Sequence, residues 1–205
     1  MVGEIKRGDY GRWRARRQRQ IRRLGALAIL IICVLAVLPF ALRAPETVKR
    51  ATHPLRYEET IRRVGEEYGV EPTFIAGVVY AESRFGHESE SHRGAYGLMQ
   101  ILPSTAEFIA QRSGIKGDYR EPRTNLRMGA WYLSYLDRRY SVDERLVLAA
   151  YNSGEGRVDA WTSDKDFNVR RDIPFAETRE YVKNVLKAQR DYEELYGRNL
   201  DRNSR

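Results

Sequence analysis

Glu82 closes an apolar run, Phe74-Ile75-Ala76-Gly77-Val78-Val79-Tyr80-Ala81, where a carboxylate has no evident packing role. Ile75, Val78, Val79 and Glu82 stand at i, i+3, i+4 and i+7 of a helix, so the acid points the way the apolar side chains point. Partial desolvation disfavours the ionised form and raises the pKa, which keeps a carboxylic acid protonated near neutral pH as a proton donor. Taken alone, a glutamate at a helix end fits equally a solvated side chain or an ion pair with Arg84.

Other residues nearby have types suited to binding. Gly94 and Gly97 allow backbone to approach a ligand closely. Gln100 offers both a donor and an acceptor, as reading an amide or a hydroxyl on a ligand requires. Tyr151 and Asn152 end a helix at a Gly-containing loop; the phenol is either a hydrogen-bonding site group or a core aromatic with its hydroxyl at the surface. Glu177 follows Pro174 and fits either a site residue or an acid placed to suit a helix dipole. His87, Glu88, Glu90 and His92 invite a metal reading, but their spacing matches no zinc or calcium pattern, and no metal is expected. Glu88 and Glu90 are also the rivals for a second catalytic carboxylate, yet they sit in a polar stretch that gives them no orientation.

The elements that must position these residues read as helices. Tyr57, Ile61, Val64 and Tyr68 form one apolar stripe before Gly69, and Pro72 suits the first turn of the helix that carries Glu82. Ser104 with Glu107, and Ser141 with Glu144, have capping-box spacing and mark two later starts. Leu126, Ala130, Leu133, Leu136 and Tyr140 make a longer helix between them, and Tyr181, Val185, Ala188 and Tyr192 stripe a last one over 175–196. No stretch alternates with period two between hairpin turns, so the fold class is all-α, with loops at 86–97, 113–122 and 161–174.

The chain has 205 residues and a net charge of +8, enough length for one catalytic domain with appendages. Residues 1–23 carry nine Lys/Arg against Glu4 and Asp9, so the rest is nearly neutral at +1, and no nucleic acid partner is expected for the fold. Residues 24–42 are 19 consecutive uncharged residues, a helix of about 28 Å, close to the thickness of a bilayer's hydrocarbon core. The basic flank predicts a cytoplasmic tail over 1–23, an uncleaved transmembrane signal anchor over 24–42, and everything after Arg43 on the extracytoplasmic side. A cleaved signal peptide is the alternative, weakened by the long apolar stretch and the poor cleavage site at Ala41-Leu42-Arg43-Ala44. The only cysteine, Cys33, lies within that span, which excludes a catalytic thiol and a disulfide from the outer part. Residues 43–55 read as a linker, 56–197 as the catalytic domain and 198–205 as a C-terminal tail.

Four blocks in order carry a resemblance. Glu82-Ser83-Arg84-Phe85, then Ser91 with Gly94-Ala95-Tyr96-Gly97-Leu98-Met99-Gln100-Ile101-Leu102-Pro103, then Ala150-Tyr151-Asn152-Ser153-Gly154, and last Ile173-Pro174-Phe175-Ala176-Glu177-Thr178-Arg179-Glu180-Tyr181-Val182 resemble the catalytic domain of soluble lytic transglycosylases, relatives of goose-type lysozyme. The resemblance covers about residues 57–190 and implies an all-α, lysozyme-like domain, preceded here by the transmembrane helix. It implies cleavage of the β-1,4 bond between N-acetylmuramic acid and N-acetylglucosamine in peptidoglycan, with 1,6-anhydromuramic acid ends and no cofactor. Glu82 is then the single essential acid, first protonating the glycosidic oxygen and then taking the proton of the muramoyl C6 hydroxyl. Ser91, Gly97, Met99, Gln100, Tyr151, Asn152 and Glu177 are the implied substrate contacts, with glycan strands and the membrane as partners. Two departures from the family pattern are Leu102, where relatives often carry Met, and Glu155, where Pro is common. A lysozyme hydrolysing the same bond and a non-catalytic wall-binding module are the alternatives.

Overall fold

A computed structural model of the protein describes residues 47–140 and 143–200. The basic tail, the expected membrane span, the first residues of the expected linker, Ser141 and residues 201–205 lie outside them. Among the described residues no helix is long and apolar enough to cross a membrane. Residues 47–52 are helical. After them come α1 (Glu58–Tyr68), α2 (Pro72–Ser83), α3 (Pro103–Ser113), α4 (Pro122–Tyr140), α5 (Glu144–Ser153), α6 (Glu155–Thr162) and α7 (Ala176–Leu200). Sheet-like pairing among the described residues is limited to isolated bridges between Glu90 and Tyr96 and between Tyr96 and Ile101, so the all-α class holds.

The helix that carries Glu82 is the centre of the fold. Its buried residues run unbroken from Thr73 through Val79, which is a helix covered on all sides rather than one with a single core-facing stripe. It starts at Pro72, whose missing N–H costs nothing in the first turn. The turn before it is set by Gly69, in the left-handed conformation with its N–H bonded to Gly65 O. On the opposite side α2 lies against α7: a Cβ on Gly77 would stand 2.9 Å from Gln189 N, so only glycine allows the two backbones this close. From α7, Val182, Val185, Ala188 and Tyr192 complete that face of the core.

Two helix starts differ from the capping-box expectation. Helix α3 begins at Pro103 behind Leu102 with no side-chain cap, because proline fixes the first turn one residue before Ser104. Helix α5 is capped by Asp143, whose Oδ1 accepts the Arg145 N–H at 2.9 Å. The expected loop over 161–174 is partly helical, since α6 runs to Thr162. At the C-terminus α7 continues to Leu200, itself buried, so residues 198–200 belong to the helix and not to a tail.

The stretch expected as a linker is tied down where it is described. Lys49 Nζ lies 2.6 Å from Glu194 Oε2, and the Tyr192 and Tyr196 hydroxyls donate to the carbonyls of Pro54 and His53. The His53 ring stacks on Tyr80 with centroids 4.5 Å apart.

Candidate active site

Glu82 occupies the last turn of α2, half-buried, with its Oε1 accepting the Tyr181 hydroxyl at 2.7 Å. Burial pushes its carboxyl up from 4.5 to about 7, and the Tyr181 hydrogen bond, which favours the anion, pulls the other way. The ion pair with Arg84 that the sequence left open is not made. Tyr151 lies close enough for the Glu82 charge to act on it. Burial first, and then that charge, hold both the Tyr151 and Tyr181 hydroxyls well above the ordinary phenol range, so both remain donors. Tyr151 donates to Met99 O at 2.8 Å.

Directly after the acid the chain turns sharply. Arg84 and Phe85 take φ of 50° and 64°, a left-handed pair that costs about 1–2 kcal/mol per residue. Full burial of Phe85 offsets that cost, at about 1.5–3 kcal/mol for a side chain of its size. The Ser83 hydroxyl reaches Leu98 O at 2.8 Å and so draws the returning loop against the end of α2.

That loop is fastened by an amide hub. Asn125, fully buried in α4, accepts the Met99 N–H at 2.8 Å and donates to Tyr96 O and Tyr119 O, each at 2.9 Å. Gly97, at φ +80°, is held against it: a Cβ there would meet Asn125 Nδ2 at 2.6 Å. Glycine is therefore required at 97 by the packing of Asn125. Gln100, itself at φ 46°, spends its Nε2 on Ser89 O and Gly97 O, at 2.9 and 3.0 Å. The Ser91 hydroxyl accepts the Ala95 N–H and closes the turn at the tip.

The expected site residues thus fall into three groups. Glu82 and Tyr151 come together, with Tyr181 as a third member that the sequence reading had in a helical stripe and in the last matching block but not among the site residues. Its signal was present: a tyrosine on the inward face of a helix brings a hydroxyl that needs a buried partner. Ser91, Gly97 and Gln100 build the loop beside the acid, with the Gln100 donors already used within it. Met99, an implied substrate contact, meets the site through its backbone. The side chain is fully buried, with its Sδ packed where a Cβ on Gly129 would be, and only its main-chain oxygen reaches a site residue. Asn152 Oδ1 accepts the buried Thr178 hydroxyl at 2.9 Å, which joins the end of α5 to the first turn of α7. Glu177, one residue before Thr178, is exposed. Glu88 and Glu90 are exposed as well, with the His87 ring 3.6 Å from Glu88. Among the described residues no group of acids, histidines and cysteines could hold a metal ion. Asn125 and Thr178 were not singled out from the sequence; a lone buried polar residue in a helix leaves no periodic signal.

Comparison with known proteins bears on this arrangement of one desolvated acid, two phenols and a latched loop. The chain is 34% identical over 155 residues to the soluble lytic murein transglycosylase of Salmonella typhimurium, covering 70% of this chain and 24% of that protein. It is 30% identical over 166 residues to the membrane-bound lytic murein transglycosylase C of Haemophilus ducreyi, covering 67% and 45%. In three dimensions it is similar to an inactive mutant of lytic transglycosylase Slt from Pseudomonas aeruginosa, at a TM-score of 0.66 and 34% identity, covering 70% of this chain and 25% of that one. The 70-kDa soluble lytic transglycosylase of Escherichia coli gives a TM-score of 0.68 at 31% identity, covering 73% and 26%. The chain therefore spans about a quarter of the length of the soluble relatives it matches. The transglycosylase SLT domain model matches residues 59–173, which run from α1 through the acid, the loop and Tyr151 to the residue before Pro174, and the chain belongs to that family.

Proposed function

We propose that this chain is a peptidoglycan lytic transglycosylase that cleaves between N-acetylmuramic acid and N-acetylglucosamine and leaves 1,6-anhydromuramic acid ends. The observation that carries the proposal is the Glu82–Tyr181 pair: an acid raised to about 7, with one oxygen engaged and a second tyrosine beside it. Near neutral pH such a group is protonated often enough to give its proton to the glycosidic oxygen as the C1–O bond breaks. The resulting anion keeps the Tyr181 hydrogen bond, which stabilises it until the muramoyl C6 hydroxyl attacks C1 and returns a proton to the same carboxylate. The sugar's own 2-acetamido group carries the positive charge at C1, so no second carboxylate is required. The proton balance closes on Glu82, and no cofactor enters.

The other residues serve this site in different ways. Tyr151 and Asn152 face the acetamido side, Gln100 offers its oxygen, and Glu177 orients the acceptor side from the first turn of α7. Ser91 and Gly97 hold the loop, and Met99 acts through its carbonyl on Tyr151. Residues 24–42 anchor the chain in the membrane with residues 1–23 in the cytoplasm, which puts the domain over 56–197 against the cell wall. A reporter enzyme fused after residue 205, active only in the cytoplasm, would refute that topology by lighting up.

Digestion of purified peptidoglycan tests the activity. Mass analysis should find anhydro ends, one water lighter than reducing ends, and Glu82→Gln should release neither. Reducing ends from the natural chain would make it a lysozyme instead, and turnover that survives Glu82→Gln would make the cleft a docking surface.

A further inference from the structure

Residues 49–54, read from the sequence as linker, lie across the seam between α2 and α7 and are fastened to both. On α7, Lys49 Nζ is 2.6 Å from Glu194 Oε2, and Arg50 donates to Leu195 O at 3.2 Å while standing over the Tyr196 ring at 5.3 Å. The Tyr196 and Tyr192 hydroxyls hold the carbonyls of His53 and Pro54 at 3.0 and 3.1 Å. On α2, the His53 ring stacks on Tyr80 with centroids 4.5 Å apart, and it also meets the Tyr192 ring edge-on at 5.9 Å. Its Nε2 lies 3.6 Å from Asp191 Oδ2, the same oxygen that pairs with Lys187 at 2.6 Å. The side chain is only 12% exposed, so one ring from the strap is packed against both helices.

Those two helices carry the acid and its partner. Tyr80 precedes Glu82 by two residues at the end of α2, and Tyr181 comes from the second turn of α7. Gly77 limits how closely the helices come, since a Cβ there would stand 2.9 Å from Gln189 N, but it does not stop them from parting. Nor is the Tyr181 ring packed on every side. It lines a cavity of about 320 Å³ together with Ala81, Asn184 and His53. The contacts of His53 with Tyr80 and Tyr192 close the seam beside that cavity.

We propose that residues 49–54 are a clamp that keeps α7 against the end of α2, and that His53 is a positioning residue for the Glu82–Tyr181 pair. The proposal rests on the reading of Glu82 as a proton donor. His53 acts through Tyr80 and Tyr192 and touches neither the acid nor the glycan. When the clamp is loosened, α7 draws back with Tyr181, water reaches the carboxyl, and Glu82 ionises at lower pH. Weakening of the Tyr181 hydrogen bond pulls the other way, but burial is the larger of the two causes.

The test uses the full chain. His53→Ala should move the alkaline limb of the kcat profile down by about half a pH unit, so that kcat at about pH 7 falls about twofold while KM, and kcat at about pH 5, hold. His53→Phe keeps a ring on Tyr80 without the Asp191 contact and should leave the limb in place. Tyr196→Phe releases the His53 carbonyl and should shift the limb in the same direction as His53→Ala, but by less. Carbon NMR titration of the Glu82 carboxyl should show the same three results without substrate. A carboxyl titration unmoved by His53→Ala, in protein that urea denaturation shows to be folded but less stable, overturns the proposal and leaves the strap a stabilising contact alone. An equal shift in His53→Phe also overturns it, since the imidazole charge and not the packed ring would then be acting. Absence of anhydro ends with the natural chain defeats instead the donor reading, and the carboxyl titration still decides for or against the clamp.

Discussion

Replacing Glu82 by Gln should remove turnover and, at the same time, stabilise the fold in a pH-dependent way. Burial raises the Glu82 carboxyl from 4.5 to about 7, and each unit is about 1.4 kcal/mol between the two protonation states. The folded chain holds the proton more tightly than the unfolded one. Its stability is therefore full below pH 4.5 and declines as pH rises from 4.5 through about 7, by at most about 3 kcal/mol. Gln has no proton to lose, matches Glu in shape, and still offers an oxygen to the Tyr181 hydroxyl. The two proteins should agree within a few tenths of a kcal/mol at about pH 4. At about pH 8.5 the variant should be ahead by about 2–3 kcal/mol, the lower figure allowing for water reaching a half-buried side chain. For a domain of this size that is about 5–10 °C in Tm. Urea denaturation followed by the fluorescence of Trp131 and Trp161 across that pH range measures it. A stability difference that stays flat with pH, or grows toward acid, would refute the claim that desolvation sets the state of this acid.

Two further perturbations separate the forces at the site. Tyr181→Phe removes the bond that lowers the Glu82 pKa, so the alkaline limb of the kcat profile should move to higher pH while the maximum drops about tenfold. A limb that stays in place would mean that the phenol does not act on the acid. Gly97→Ala puts a Cβ 2.6 Å from Asn125 Nδ2 at a φ of +80°, and should cost about 2–4 kcal/mol in urea denaturation. A loss under about 1 kcal/mol would show that the loop yields easily around Asn125.

What could be read in the sequence, and what could not, divides along the range of the interactions. Apolar spacing placed α1, α2, α4 and α7, because burial over several turns repeats every three to four residues. It understated α2, where Ile75, Val78 and Val79 were one face and Thr73, Phe74, Ala76 and Gly77 proved to be buried too. A central helix has no outer face to break the pattern. Short-range signals competed and one won: Pro103 over the Ser104 box, and Asp143 at the start of α5. Helix α6 escaped because Val158 is its only buried residue. The acid was legible as a carboxylate on an apolar face, but its partner was not, since Tyr181 is 99 positions away and its stripe says only that the ring is inside. Met99 shows the reverse failure: membership in a motif beside the acid said nothing about which of its atoms faces the site.

The pairing of Glu82 with Tyr181 in turn depends on how closely α2 and α7 approach. An acid that must give a proton and later take one back needs a pKa near the working pH, and here two opposed effects set it. Desolvation grows as α7 closes over the end of α2, and the phenol's hydrogen bond exists only at that same separation. Both effects are therefore fixed by one distance. That distance is set at Gly77, where the α2 backbone meets Gln189 N and Val185 O with room for no side chain. Its position between the two helices makes a packing residue out of contact with the substrate a determinant of the acid. A larger residue at 77 would move Tyr181 away from Glu82, expose the carboxyl to water and lower its pKa toward 4.5, so that the chain would lose its proton donor at neutral pH before it lost its fold.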